Sequence, residues 1–310
     1  MTYRDSERKR AIENRDRIFG DPGGGSYQGI AREFVLREAS KNLWGNIREK
    51  AIDYFNTNDI AWWGGTKREP TGHLLSSQVA CINHLFPLRD RKDLATGVLQ
   101  AIDPEVETAT VVDDGYVEFE FIGNGHHRPL KEKGFTRGAN CTSVDAVMIG
   151  EKKSGERCMY LIEWKYTELY PVTDKYIDER KIVYDHHIAA PGSPFVSIDV
   201  IPPQAYYFEP FYQLMRQTLL GWLLTNNQDH GCTQYRHIHV VPEKNRDLSE
   251  NVTSPMLKAY GRTLTEVWRS VLKKPDHFTS TTPEKLLTPI KEADGTDELV
   301  AYLQQRYWMD

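Results

Sequence analysis

Residues 143–165 read SVDAVMIGEKKSGERCMYLIEWK, and this stretch decides the fold. Two apolar runs of strand length flank a polar turn, which is the pattern of a β-hairpin. Each run carries charges that an ordinary core strand excludes: Asp145 in the first, Glu163 and Lys165 in the second. Side chains at i and i+2 of a strand share a face, so Glu163 and Lys165 point the same way. A turn centred on Ser154 sets Asp145 opposite Glu163. Opposed residues of an antiparallel pair stand roughly 4.5–5.5 Å apart at Cβ. Two carboxylates that close repel unless a cation or proton lies between them. Two acids and a lysine on one sheet face therefore point to a metal-assisted hydrolytic site.

Downstream, PFYQLMRQTLLGWLLTNN (210–227) predicts a strong helix. Its polar patch of Gln213, Arg216 and Gln217 recurs at i, i+3 and i+4. YRHIHVVP (235–242) predicts the next strand. Between hairpin and helix, residues 166–208 read as an irregular, proline-rich insertion containing His186 and His187. Upstream, YVEFEFIG (116–123) predicts a half-exposed strand in which Glu118 and Glu120 alternate with Phe119 and Phe121, and strand character starts near Val111. Helices are expected over 74–86 and 89–102, and a charged exposed one over 2–18. After a glycine-rich break at 21–29, Ile30, Phe34, Val35, Ala39, Leu43, Ile47, Ala51 and Phe55 recur at helical spacing and predict one long amphipathic helix. Further helices are expected over 255–273, 283–290 and 296–308.

This is an α/β reading: a mixed sheet of four or more strands in αβββαβ order, with helices added at both ends. No linker separates two cores, so residues 1–310 are expected as a single elaborated domain, with a core over 74–242 and extensions at 1–73 and 243–310.

Composition narrows the class. Apolar content of 39% and charged content of 27% are ordinary for a globular chain. The net charge of −5 is not that of a nonspecific nucleic-acid coat, but it permits a local basic groove beside an acidic site. Cys81, Cys141, Cys158 and Cys232 form no CxxC pair, which fits a reducing cytoplasm. Membrane association is not expected, since no stretch approaches a spanning segment. The glycines at 23–25 lack the lysine of a phosphate loop.

Several features carry two readings. Trp62 and Trp63 lie in the loop 56–72, either packed beneath it or forming a base-stacking platform beside Lys67 and Arg68. Arg128, Lys131, Lys133 and Arg137 make the segment before the hairpin basic, either as a solvated loop or as a phosphate grip. His237, His239, His186 and His187 lack partners at zinc spacing. Cys141 and Ser143 lack an adjacent activating base. A lysine–acid ion pair of purely structural role is the competing reading of the hairpin charges.

The order of elements, with Asp145 followed by Glu163-Trp164-Lys165 on the next strand, resembles the PD-(D/E)XK restriction-endonuclease-like superfamily. The wording NCTSVDAVMIG and YLIEWKYTE, together with PFYQLMRQ, looks like a bacterial family of restriction endonucleases within it. One departure is Val144, where a proline often precedes the first acid. The resemblance implies that Asp145 and Glu163, with the Trp164 carbonyl, bind Mg²⁺, with Mn²⁺ able to substitute. It implies that Lys165 orients the attacking water and offsets transition-state charge. Gln213 and Arg216 match a Q-x-x-R patch on the following helix, and Gln78 stands where related nucleases place a glutamate. Tyr166 and Glu168 are expected along the groove. The implied activity is metal-dependent hydrolysis of phosphodiester bonds, with DNA the expected substrate and bacterial defence the expected setting. A homodimer follows from the habit of such enzymes to cut both strands, although no interface is legible. The alternative from a different class is an inactive nuclease-fold module that binds nucleic acid or a partner protein.

Overall fold

The computed structural model describes residues 1–123, 127–138 and 141–308. His126, Ala139 and Asn140, which flank the basic segment before the hairpin, lie outside the described residues.

The hairpin forms as its pattern dictates: β5 (Val144–Lys152) and β6 (Arg157–Trp164) pair antiparallel. Their register pairs Met148 with Tyr160 and Ala146 with Ile162, which leaves Asp145 and Glu163 as the next opposed pair. Two shorter strands, β3 (Val106–Thr110) and β4 (Glu118–Phe121), lie beside the two ends of β5 and share its outer edge. On the other side, β7 (Cys232–Val240) runs parallel to β6, and β8 (Phe278–Thr281) runs parallel to β7. The sheet is thus mixed and six-stranded. The strand β8 was not expected; FTST is too short and polar to announce itself, and it is recruited by the free edge of β7.

Both faces of the hairpin are buried, so its strands read as nearly continuous apolar runs. Ala146, Met148, Tyr160, Ile162 and Trp164 pack beneath α2 (Arg48–Thr57), α3 (Ser77–Leu85) and α4 (Lys92–Ile102). Val147, Ile149, Met159 and Leu161 pack beneath α6 (Phe211–Asn226), with α5 (Asp178–Ile188) and α8 (Leu264–Ser270) beyond it. Gly221 lets α6 lie close on the sheet: a Cβ there would meet Leu161 Cδ1 at 2.6 Å and Tyr235 Cδ2 at 2.7 Å. That approach brings Gln213 and Gln217, two and one turns earlier on the same helix face, down to the end of β6.

The N-terminal helix α1 (Tyr3–Phe19) forms with a Thr2–Asp5 capping box. The long helix expected from Ile30 to Phe55 does not form; only α2, at its end, is helical. In its place stand a short hairpin of Gly25–Tyr27 (β1) with Ile30–Arg32 (β2) and a 3₁₀ turn at Ala39–Asn42. The Asp21 carboxylate accepts the N–H groups of Gly23, Arg37 and Glu38 at 2.8, 3.2 and 3.0 Å, which diverts amides that a helix would need. The helix expected over 255–273 is broken at Gly261 into a 3₁₀ stretch and α8. The insertion 166–208 contains α5, which includes His186 and His187. Three more short helices follow in the chain, α7 (Arg246–Ser249), α9 (Pro283–Leu286) and α10 (Asp297–Arg306).

Candidate active site

The charges that opened the sequence reading meet at the C-terminal end of β6. Asp145 Oδ2 accepts the Trp164 N–H at 2.6 Å. Glu163 Oε1 lies 2.5 Å from Lys165 Nζ, and Glu163 and Lys165 are only 3% and 4% exposed. The ammonium also donates to Gln213 Oε1 at 2.6 Å. Gln217 Nε2 donates to the other oxygen of Glu163 and, at 3.1 Å, to the Ser143 carbonyl. Neighbouring turns of α6 thus hold the acid and the base-side lysine separately.

A fourth charge joins them. Glu120 does not sit on a half-exposed strand face as its alternation suggests. Its φ is +47°, in the left-handed region, and it is 6% exposed. Phe119 and Phe121, which regular alternation would place together, enter opposite cores. The Glu120 carboxylate turns instead to Gln78 Nε2 at 2.7 Å and Ser143 Oγ at 3.1 Å. Glu120 was not legible as a site residue, because a left-handed residue inside a strand leaves no mark in an E-F-E-F pattern.

A cavity of about 580 Å³ is lined by Gln78, Glu120, Ser143, Asp145, Glu163, Lys165, Gln213, Arg216 and Gln217, with Thr167 to Tyr170 and Lys175 from the insertion. A larger cleft of about 700 Å³ lies between α1, α7 and α9. Its one buried acid, Glu7, is neutralised by Arg10 of the same helix, whereas three carboxylates gather in the smaller cavity, which is therefore the functional candidate.

Burial raises the Asp145 carboxyl well above its usual range, with Glu163 and then Glu120 adding repulsion. Burial likewise pushes Glu120 up to about 7, against the pull of its bonds to Gln78 and Ser143. Burial works against the charge on Lys165, but the surrounding anionic groups, Glu163 first, outweigh it and hold the ammonium well above its ordinary value. Three carboxylates, Asp145, Glu163 and Glu120, thus gather at one cavity, with a single buried ammonium paired to Glu163.

The other expected residues are distributed unevenly. Trp164 buries its ring in the opposite core against His84 and offers only its backbone to the site. Arg216 lines the cavity while pairing with Glu132 at 2.8 Å. Glu168 lines it too, whereas Tyr166 turns to Glu7 of α1 at 2.6 Å. Arg137 does not face the cavity as a phosphate grip. Its guanidinium turns inward onto the carbonyls of Phe119 and Glu120 and pairs with Glu118 at 3.0 Å, fixing β4 instead. Arg128 and Lys131 lie over the ring of Phe135, and Lys133 is exposed; none of the three lines the cavity. Burial pushes the Cys141 thiol up to about 11, which leaves no thiolate nucleophile at neutral pH. Burial also keeps His237 neutral, its value lowered to about 3.

Comparison with known protein families decides the relationship. A family model described as Restriction Endonuclease associating with ARP matches residues 11–308. The chain belongs to this family. A restriction endonuclease family makes nuclease the activity class and nucleic acid the substrate class. No curated protein and no solved structure matches the chain. Among the described residues, no helix of this family member is long and apolar enough to cross a membrane.

Proposed function

We propose that the chain is a metal-dependent endonuclease of the PD-(D/E)XK type, hydrolysing phosphodiester bonds of DNA in the bacterial cytoplasm as part of defence, as a homodimer where both strands are cut. The observation that carries this reading is the meeting of Asp145, Glu163 and Lys165 on one buried sheet face. A merely structural ion pair needs one acid. Here Asp145 and Glu120 stand beside the Glu163–Lys165 pair, an excess of buried negative charge that burial alone makes costly.

The donor set fits Mg²⁺, or Mn²⁺ in its place. Its atoms are hard oxygens, and Gln217 Oε1 is buried with no hydrogen-bond partner among the described residues. Among those residues no three His, Cys, Asp or Glu side chains form a preformed cage. Mg²⁺ needs none, since it is held through one or two carboxylates, waters and substrate phosphate. Asp145 and Glu163, with the Trp164 carbonyl, are the proposed ligands, and Glu120 adds a further carboxylate. When bound, the cation supplies Lewis-acid polarisation of the scissile phosphate. Lys165, kept charged by Glu163 and aimed by Gln213, offsets the charge that grows on the phosphoryl oxygens and orients the attacking water. Gln217 fixes the Glu163 carboxylate, and Arg216 draws the phosphate strand towards the cavity.

Cleavage of supercoiled plasmid in Mg²⁺, Mn²⁺ and EDTA tests the proposal. Wild type is expected to nick or linearise DNA in either metal and not in EDTA. Asp145→Ala and Lys165→Ala are expected to lose at least a thousandfold while keeping the circular-dichroism spectrum of the fold. Activity retained by either variant overturns the assignment. Binding without cleavage in both metals leaves instead an inactive nuclease-fold module.

A further inference from the structure

The two tryptophans of the 56–72 loop have opposite fates. Trp62 is buried and stacks on Phe55, with ring centroids 3.9 Å apart at 17°. Trp63, the next residue, is 50% exposed and stands on the wall of the acidic cavity. Its ring is backed by Tyr27 at 5.9 Å and edge-on by His73 at 5.7 Å. His73 is itself fixed, its Nδ1 accepting the Leu75 N–H at 3.2 Å. The backbone of Trp63 is pinned from the other side: its N–H donates at 2.8 Å to Gln78 Oε1, and Gln78 Nε2 donates at 2.7 Å to Glu120. The indole is therefore rigidly coupled to the acid cluster while its surface stays open. Arg4 of α1 lines the same wall, and the Arg8 guanidinium lies 5.1 Å over the Phe34 ring beside His73. Lys67 and Arg68, the basic pair nearest in sequence, line a different cleft with Asn56 and Asp59.

An exposed large aromatic ring on a mobile loop is a surface accident. One that is backed by further rings, hydrogen-bonded to a site residue and flanked by arginine is a stacking platform. We propose that Trp63 stacks on an unpaired base of the substrate strand next to the scissile phosphate, so that the enzyme favours nucleic acid with unpaired nucleotides at the cut. This rests on the nuclease reading above. Bases inside an intact duplex present only their edges; a face becomes available where the strand is single, bulged or frayed. Arg4 supplies the positive charge that meets the adjoining phosphate.

The test uses the full chain with Ca²⁺ in place of Mg²⁺ and oligonucleotides carrying 2-aminopurine in a single-stranded, a bulged and a fully paired context. Wild type is expected to quench the unpaired probe and to bind it more tightly than the paired one. Trp63→Ala should lose the quenching and weaken binding of the unpaired probes roughly 5- to 150-fold, the range of one base–aromatic stack, leaving the paired probe unchanged. Trp63→Phe should retain most of the effect. Equal affinity of wild type and Trp63→Ala for all three probes, or equal weakening across them, overturns the proposal. Plasmid cleavage by wild type is scored separately, so absence of the stacking signal in wild type with Mg²⁺-dependent cleavage intact rejects the platform alone.

Discussion

Replacing Glu120 by glutamine should stabilise the metal-free protein and impair its function, and the size of the effect follows from the site. Glu120 is buried, and its carboxyl is raised from an ordinary 4.5 to about 7 by burial first, with Glu163 adding repulsion. A raised carboxyl binds more protons in the folded than in the unfolded chain between those values. Its stabilising contribution is therefore complete below pH 4.5 and lost as pH rises through 7. The difference amounts to about 3 kcal/mol at pH 8, at 1.36 kcal/mol for each tenfold. Glutamine keeps both hydrogen bonds: its amide oxygen accepts from Gln78, and its NH₂ donates to the Ser143 hydroxyl, which turns to accept. Unfolding entropy of about 2.1 cal/mol/K per residue over 310 residues converts 3 kcal/mol to a Tm shift of about 5 °C. The assay is thermal and urea unfolding of wild type and Glu120→Gln in EDTA from pH 4.5 to 8. The two should coincide at pH 4.5 and separate as pH rises, with the variant more stable; added Mg²⁺ should then narrow the gap by stabilising wild type. A difference that stays constant with pH, or a variant less stable at pH 8, refutes the reasoning.

Gln213→Ala frees the Lys165 ammonium from one of its two anchors and should lower the single-turnover cleavage rate about ten- to a hundredfold while leaving substrate affinity unchanged; an unchanged rate in rapid quench would show that Gln213 does not position Lys165. His84 supplies an acid-side prediction. Burial, with Arg306 adding, lowers it to about 3, and it bonds the Ala80 carbonyl at 2.6 Å and accepts the Trp308 indole N–H at 3.1 Å. The unfolded chain then binds the extra proton below pH 6.5, so stability is lost as pH falls, about 2 kcal/mol by pH 5 from this residue. Between pH 7.5 and 5, His84→Leu should lose that much less than wild type in urea unfolding, and equal losses would refute the assignment.

The sequence by itself determined the central hairpin of the sheet and where its charges gather, but not the edge strand β8. Apolar runs around a turn dictated the hairpin, and a side-chain period of two dictated that Glu163 and Lys165 share a face with the acid opposite them. The spacing of Gln213, Arg216 and Gln217 marked the helix face that lies on the site, although Gln217, which holds Glu163, was legible only as part of that patch. Helical periodicity misled between Ile30 and Phe55, because it counts apolar positions and cannot see that Asp21 takes the amides of Arg37 and Glu38. Charge misled at Arg137, because composition cannot tell an arginine turned to solvent from one clamped on the carbonyls of β4.

Only the tertiary structure decided which residues finish the site. Glu120 enters through a single left-handed residue inside the strand, its carboxylate held by Gln78 and Ser143 from other segments. Trp63 and Trp62 are neighbours of the same type, and their separation into a buried ring and an open one depends on Phe55, Tyr27 and His73, all brought from outside the loop. Local pattern fixes what a strand or helix presents on each face. Which faces meet is set by packing between segments distant in the chain, and there the acid pair of the hairpin acquires its third carboxylate and its open aromatic wall.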